Sequence, residues 1–104
     1  MRSVAIVCAV AMCAIAGSAQ AADTKPTAHD GKQVYNAYCV ICHGVNMTTT
    51  SKQAFDLRKF PLSQRSRFFT SVRQGKRQMP AWKDALSDEQ IEALWAYVRT
   101  RGKI

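Results

Sequence analysis

The apolar residues of this chain recur with a helical period in three places. The first begins at Asp30, a candidate N-cap, and runs to about His43. Val34, Tyr35, Tyr38, Cys39 and Cys42 share one broad face there. The second covers Gln64 to Gln74, with Phe68, Phe69 and Val72 apolar and Gly75 at the stop. The third has the clearest start. Ser87 and Gln90 form a capping box, Leu86 precedes them as a staple, and Ile91, Leu94, Trp95 and Val98 continue the period to about Arg101. Residues 45–60 show no clean period; the Thr-Thr-Thr-Ser run at 48–51 reads as loop, with a short turn near Phe55 to Arg58. The stretch KRQMPAW, 76–82, is a loop whose path Pro80 fixes. No run alternates with a period of two, and no repeat is visible. The pattern predicts an all-α domain of three main helices, with long loops that need something to wrap around.

The N-terminal segment has a different character. Arg2, an apolar run from Val4 to Ile15 and the small-x-small sequence Ala19-Gln20-Ala21 read as a cleavable export signal over residues 1–21. Its apolar part is too short for a stable membrane span. Cys8 and Cys13 lie inside it, each preceded by a bulky residue (Val7, Met12) where lipidation would need a small one. Residues 22–29 are polar, contain Pro26 and read as a flexible arm in which His29 is solvated; residues 30–104 form the single domain. Cleavage removes only Arg2 of the 15 basic residues, which leaves 14 against 7 acidic ones. For an exported chain this excess points to acidic protein partners rather than nucleic acid, and the export signal to a bacterial periplasm.

A domain this small has a marginal core and needs a staple. Only Cys39 and Cys42 remain after cleavage, and a disulfide between them would close no useful loop. They belong to CVICHG, residues 39–44, and on a helix Cys39, Cys42 and His43 face one object. A structural zinc ion would need a fourth ligand, for which only His29 and carboxylates are on offer. A thioredoxin-type dithiol would need a strand before it, and none is predicted. A haem joined through two thioethers, with His43 on its iron, uses every residue of the motif and supplies the missing core. Its second axial position calls for another ligand. Met47 would have to fold back at once across the ring. Met79 stands in a loop beside Pro80, outside any packing stripe, and its thioether is a soft ligand that favours ferrous iron.

With CVICHG, QMPAW and the capped ending SDEQIEALWAYVRTRG, the chain resembles the small class I bacterial c-type cytochromes over residues 30–102. The resemblance implies a cytochrome c-like fold around one covalent haem c, with His43 and Met79 axial. It also implies a non-enzymatic electron shuttle between a dehydrogenase or quinol-linked donor and an oxidase or reductase. Alternatives are an obligate subunit of a quinoprotein dehydrogenase, or a ligand sensor or peroxidase-like protein. Gly31 and Tyr35 match a Gly-x-x-x-aromatic pattern that would cross the last helix near Leu94 and Tyr97. Arg58, Lys59 and Trp82 are candidates to hold the haem propionates, and equally a solvated charge pair and a core indole. Lys76, Arg77 and Lys83 would form a basic rim for acidic redox partners, or simply solubilising charge. Val45-Asn46-Met47-Thr48 lacks the Gly-rich sequence common after the motif, and Phe55 stands where relatives often carry proline. A backbone carbonyl in that loop usually accepts the proton of the axial histidine; the sequence leaves open which one does so here.

Overall fold

The computed structural model of the protein describes residues 9, 11, 25–49, 51, 52 and 54–104. Apart from two isolated positions, the expected signal segment and the start of the arm lie outside the described residues. Among the described residues four α-helices follow one another: α1 (Ala28–Tyr38), α2 (Val40–His43), α3 (Arg65–Gln74) and α4 (Asp88–Val98). Short 3-10 turns lie at Val45–Met47 and Leu57–Lys59, and among the described residues the only β-type pairing is an isolated bridge from Lys76 to Met79.

The first helix corrects two expectations. Thr27, not Asp30, is the N-cap: its Oγ1 accepts the Asp30 N–H at 3.1 Å, and Asp30 Oδ2 accepts the Thr27 N–H at 3.0 Å. A hydroxyl followed three residues later by a carboxylate satisfies two otherwise orphaned donors, so Ala28 and His29 are helical and the arm ends at Thr27. The helix expected to run unbroken to His43 is also two segments, hinged at Cys39 (φ −110°, ψ −24°). Cys39 ends α1 by donating its N–H to the Tyr35 carbonyl at 2.8 Å. It begins α2 by accepting the His43 N–H at 2.9 Å.

The other helices start where the sequence places them. Gln64 precedes α3 and Gly75 ends it. Before α4, Ser87 Oγ accepts the Gln90 N–H at 3.1 Å and Gln90 Oε1 accepts the Ser87 N–H at 2.8 Å, with Leu86 and Ile91 both in the core. Ser87→Ala removes the cap oxygen. It should cost about 1 kcal/mol, a fall of roughly 4–8 °C in the thermal melt of a domain this size. The C-terminal end of α4 differs from expectation. The helix stops at Val98, after which the Thr100 and Arg101 N–H groups turn to the Tyr97 and Val98 carbonyls at 2.9 and 3.1 Å and Arg101 takes a left-handed φ of 60°. That conformation sends its guanidinium to the carbonyls of Arg58 and, at 3.1 Å, Phe60.

The central packing is α1 across α4. At Gly31 the backbones meet so closely that a Cβ would lie 1.8 Å from the Ala93 carbonyl oxygen and 2.9 Å from Tyr97 Cβ. One turn further on, the Tyr35 and Tyr97 rings lie 5.1 Å apart, both buried. The crossing expected at Leu94 and Tyr97 is therefore made at Ala93 and Tyr97, with Leu94 in the core alongside. Phe60, Phe68, Phe69 and Trp95 continue that core toward α3, with Phe68 and Trp95 5.1 Å apart. On the outside, Arg65 pairs with Glu92 and Arg73 with Asp88, the latter at 2.8 Å. Such exposed pairs add less than about 1 kcal/mol each. The apolar crossing dominates.

Candidate functional site

The end of α1, one residue before Cys39, meets the Met79 loop beside the core. The ring of Tyr38, next to Cys39, meets the indole of Trp82, three residues beyond Met79, edge-on at 5.5 Å. Val34, Cys39, Val40, Leu57, Met79 and Trp82 are half-buried against the core cluster. Ile41, Val45 and Phe55 are exposed close by in the chain, Ile41 at 94%. So much accessible apolar surface flanking one motif marks a place where another body is accommodated.

Each donor group is held differently. No disulfide joins Cys39 and Cys42. Burial, helped by the neighbouring Cys42, pushes the Cys39 thiol up to about 11, so it remains protonated at neutral pH. Among the described residues no three His, Cys, Asp or Glu side chains converge on a metal-sized point.

His43 lies 3.2 Å through Nδ1 from the backbone carbonyl of Phe55. A carbonyl only accepts, so Nδ1 carries the proton and Nε2 keeps its lone pair for a metal. Burial lowers the pKa of His43, and the Phe55 carbonyl partly offsets this. The sequence left this carbonyl unassigned. What places it is local: Asp56 caps the following turn, its carboxylate accepting the Arg58 N–H at 3.0 Å. On the other side of His43, the Tyr35 hydroxyl donates to the Gly44 carbonyl at 2.5 Å. Neither contact leaves a motif in the sequence, because one uses a main-chain acceptor and the other a tyrosine already accounted for as core.

The two methionines separate cleanly. Met47 is fully buried in the core cluster and is a packing residue. Met79 sits half-buried at the core's edge, and its backbone is pinned: Lys76 N–H to Met79 O at 3.1 Å and Met79 N–H to Lys76 O at 3.0 Å. Trp82 N–H donates to the Val72 carbonyl at 2.9 Å, which anchors the loop's far end on α3.

The remaining candidates fall into two groups. Arg58 differs from a free propionate clamp, because its guanidinium is forked onto Asp56 at 3.0 and 2.9 Å. It braces the loop that carries the Phe55 carbonyl. Lys59 is exposed, and Trp82 is half-buried against Tyr38. Lys76, Arg77 and Lys83 are all exposed around the Met79 loop.

A haem fits these residues. Two unpaired thiols, an imidazole with its outer nitrogen fixed as donor, a pinned thioether and an apolar rim are the donor set and lining it requires.

Comparisons with known proteins agree. The family described as cytochrome c oxidase, cbb3-type, subunit III matches residues 26–98. A cytochrome c6 of Nostoc sp. is 36% identical over 73 residues, which cover 66% of this chain and 66% of that protein. The cytochrome c6 of Thermosynechococcus vestitus is 34% identical over 98 residues, 88% of this chain and 85% of that one. A quinohemoprotein alcohol dehydrogenase of Pseudomonas putida is 35% identical over 74 residues, but these make up only 11% of that enzyme. Among solved structures, cytochrome c6 from the diatom Phaeodactylum tricornutum superposes with a TM-score of 0.55 at 28% identity, over 74% of this chain and 95% of the diatom one. Fold, donor set and these likenesses converge: the chain belongs to the cytochrome c family, as a small class I c-type cytochrome with one covalently bound haem c, an electron carrier and not an enzyme.

Proposed function

We propose that the chain is an exported shuttle for single electrons, working in a bacterial periplasm. It would take an electron from a dehydrogenase or quinol-linked donor and pass it to a terminal oxidase or reductase. In this reading Cys39 and Cys42 would hold the haem covalently, and His43 Nε2 and the Met79 sulfur would bind its iron. Lys59 and Trp82 would hold its propionates. When bound, the haem supplies an iron that changes oxidation state by one electron.

The chain's own residues do the rest. The Phe55 carbonyl holds the His43 proton on Nδ1 and makes the imidazole a better donor. The thioether of Met79 favours the ferrous state. With both of these ligands supplied by the chain, the iron would have no position for substrate. Lys76, Arg77 and Lys83 border the Met79 loop and would steer acidic partners to it, at rates that fall with salt. The observation that carries this reading is the Tyr38–Trp82 contact at 5.5 Å, which joins the end of α1, one residue before Cys39, to the methionine loop.

Met79→Ala tests it. The oxidised wild-type protein should show the weak sulfur-to-iron band at the red end of the visible spectrum, and the variant should not. The variant's reduction potential should fall by on the order of 0.1–0.3 V, within the roughly 0.8 V that axial ligands span. An unchanged spectrum and potential would refute the ligand assignment. The likeness to the P. putida dehydrogenase favours a second reading, a permanently docked subunit of such an enzyme. Co-purification that survives high salt would support it over transient exchange.

A further inference from the structure

We propose that Gly75 is a positioning residue for Met79: its lack of a side chain sets where the sulfur ligand stands. The proposal rests on the reading of Met79 as an iron ligand, and its test separates the two. Gly75 ends α3 with φ 77° and ψ 165°, a region of backbone space that is essentially glycine-only. A Cβ built there would lie 2.6 Å from the Met79 carbonyl oxygen, 2.9 Å from the Ala81 nitrogen and 3.0 Å from the Pro80 carbonyl carbon. All three are main-chain atoms of the segment that carries the sulfur. None can move aside as the end of a flexible side chain would.

The same segment has little freedom to escape. Lys76 and Met79 exchange two backbone hydrogen bonds across a turn in which Arg77 takes a φ of 55°. Downstream, Trp82 and Lys83 donate to the Val72 and Arg73 carbonyls of α3 at 2.9 and 3.2 Å. The loop is thus tied to α3 at both ends and folded directly over Gly75. Any side chain at 75 must push the Met79–Ala81 backbone away from α3. The ligand sulfur moves with it, while α3 itself can remain helical.

Gly102 provides a matched control. It too has a positive φ, 78°, and a Cβ there would lie 2.4 Å from a backbone oxygen, that of Asn46. It belongs to the C-terminal turn and makes no contact with the Met79 loop. Gly75→Ala and Gly102→Ala should both lower the melting temperature. Only Gly75→Ala should weaken or abolish the sulfur-to-iron band of the oxidised protein. Only it should speed carbon monoxide binding to the reduced protein, by about tenfold or more, because the open state is more populated.

The proposal is overturned if Gly75→Ala keeps the wild-type band and carbon monoxide rate. It is equally overturned if Gly102→Ala loses them to the same extent. If wild type itself lacks the band, or keeps it in Met79→Ala, the ligand assignment fails instead. Should Gly75→Ala not accumulate as haem protein, Arg77→Pro displaces the same turn without touching residue 75, since proline cannot adopt a φ of 55°. Loss of the band there supports the proposal, and its retention contradicts it.

Discussion

Gly31→Ala should lower the melting temperature of the mature protein by roughly 15 °C, a cost of about 3 kcal/mol or more. The added methyl has nowhere to go. It would sit 1.8 Å from the Ala93 carbonyl oxygen, 2.5 Å from its carbon and 2.9 Å from Tyr97 Cβ. The first two are backbone atoms of α4, so relief requires the helices to separate rather than a side chain to rotate. Separation at Gly31 would also pull apart the Tyr35–Tyr97 ring contact at 5.1 Å one turn away. Because Tyr35 donates to the carbonyl of Gly44, the strain would reach the residue after His43. A substitution on the exposed side of the same helix, such as Asn36→Ala, should by contrast change the melt little. A melt within a few degrees of wild type for Gly31→Ala would mean that α1 and α4 do not cross as closely as described.

The sequence displays this crossing only in part. Gly31 and Tyr35 stand four apart at its N-terminal end, and Leu94 and Tyr97 mark its other side. Yet the atom that fixes the glycine is a main-chain oxygen of Ala93, which no side-chain pattern reports. The same holds elsewhere. Ser87 and Gln90 announce the start of α4 because a capping box is written in side chains. Thr27 and Asp30 form the same device for α1, but the apolar period begins later and draws attention to Asp30 instead. Beyond the end of α4, a long-range tie runs from the Arg101 guanidinium to the Phe60 carbonyl across 41 positions of sequence. Local spacing carries no trace of it. Cys39, Cys42, His43 and Met79, the residues proposed to hold the haem, are legible because their chemistry is rare and specific. The Phe55 carbonyl that orients His43 is invisible, since every residue has one.

Replacing both Cys39 and Cys42 with alanine should have the largest effect of all. The chain should then release all of its haem to acidified acetone, where the wild-type protein releases none. It should also lose its cooperative thermal melt. The physical reason is the size of the core. About a dozen buried apolar residues stand around α1 and α4, and Cys39, Val40, Leu57, Met79 and Trp82 flank them only half-covered. A domain of this length sits close to zero net stability without a staple. Without the covalent anchors, that apolar rim has no permanent neighbour. Single replacements should be intermediate, each leaving one thioether and a haem that still resists extraction. A double variant that melted like wild type would show that the apolar core suffices alone.

The most direct test is intact mass spectrometry of the exported protein, made in cells with a working cytochrome maturation system. The account predicts a chain heavier than its polypeptide by one haem, with the addition mapped to the peptide containing Cys39 and Cys42. A mass equal to the bare polypeptide, with both thiols free to alkylate, would contradict it.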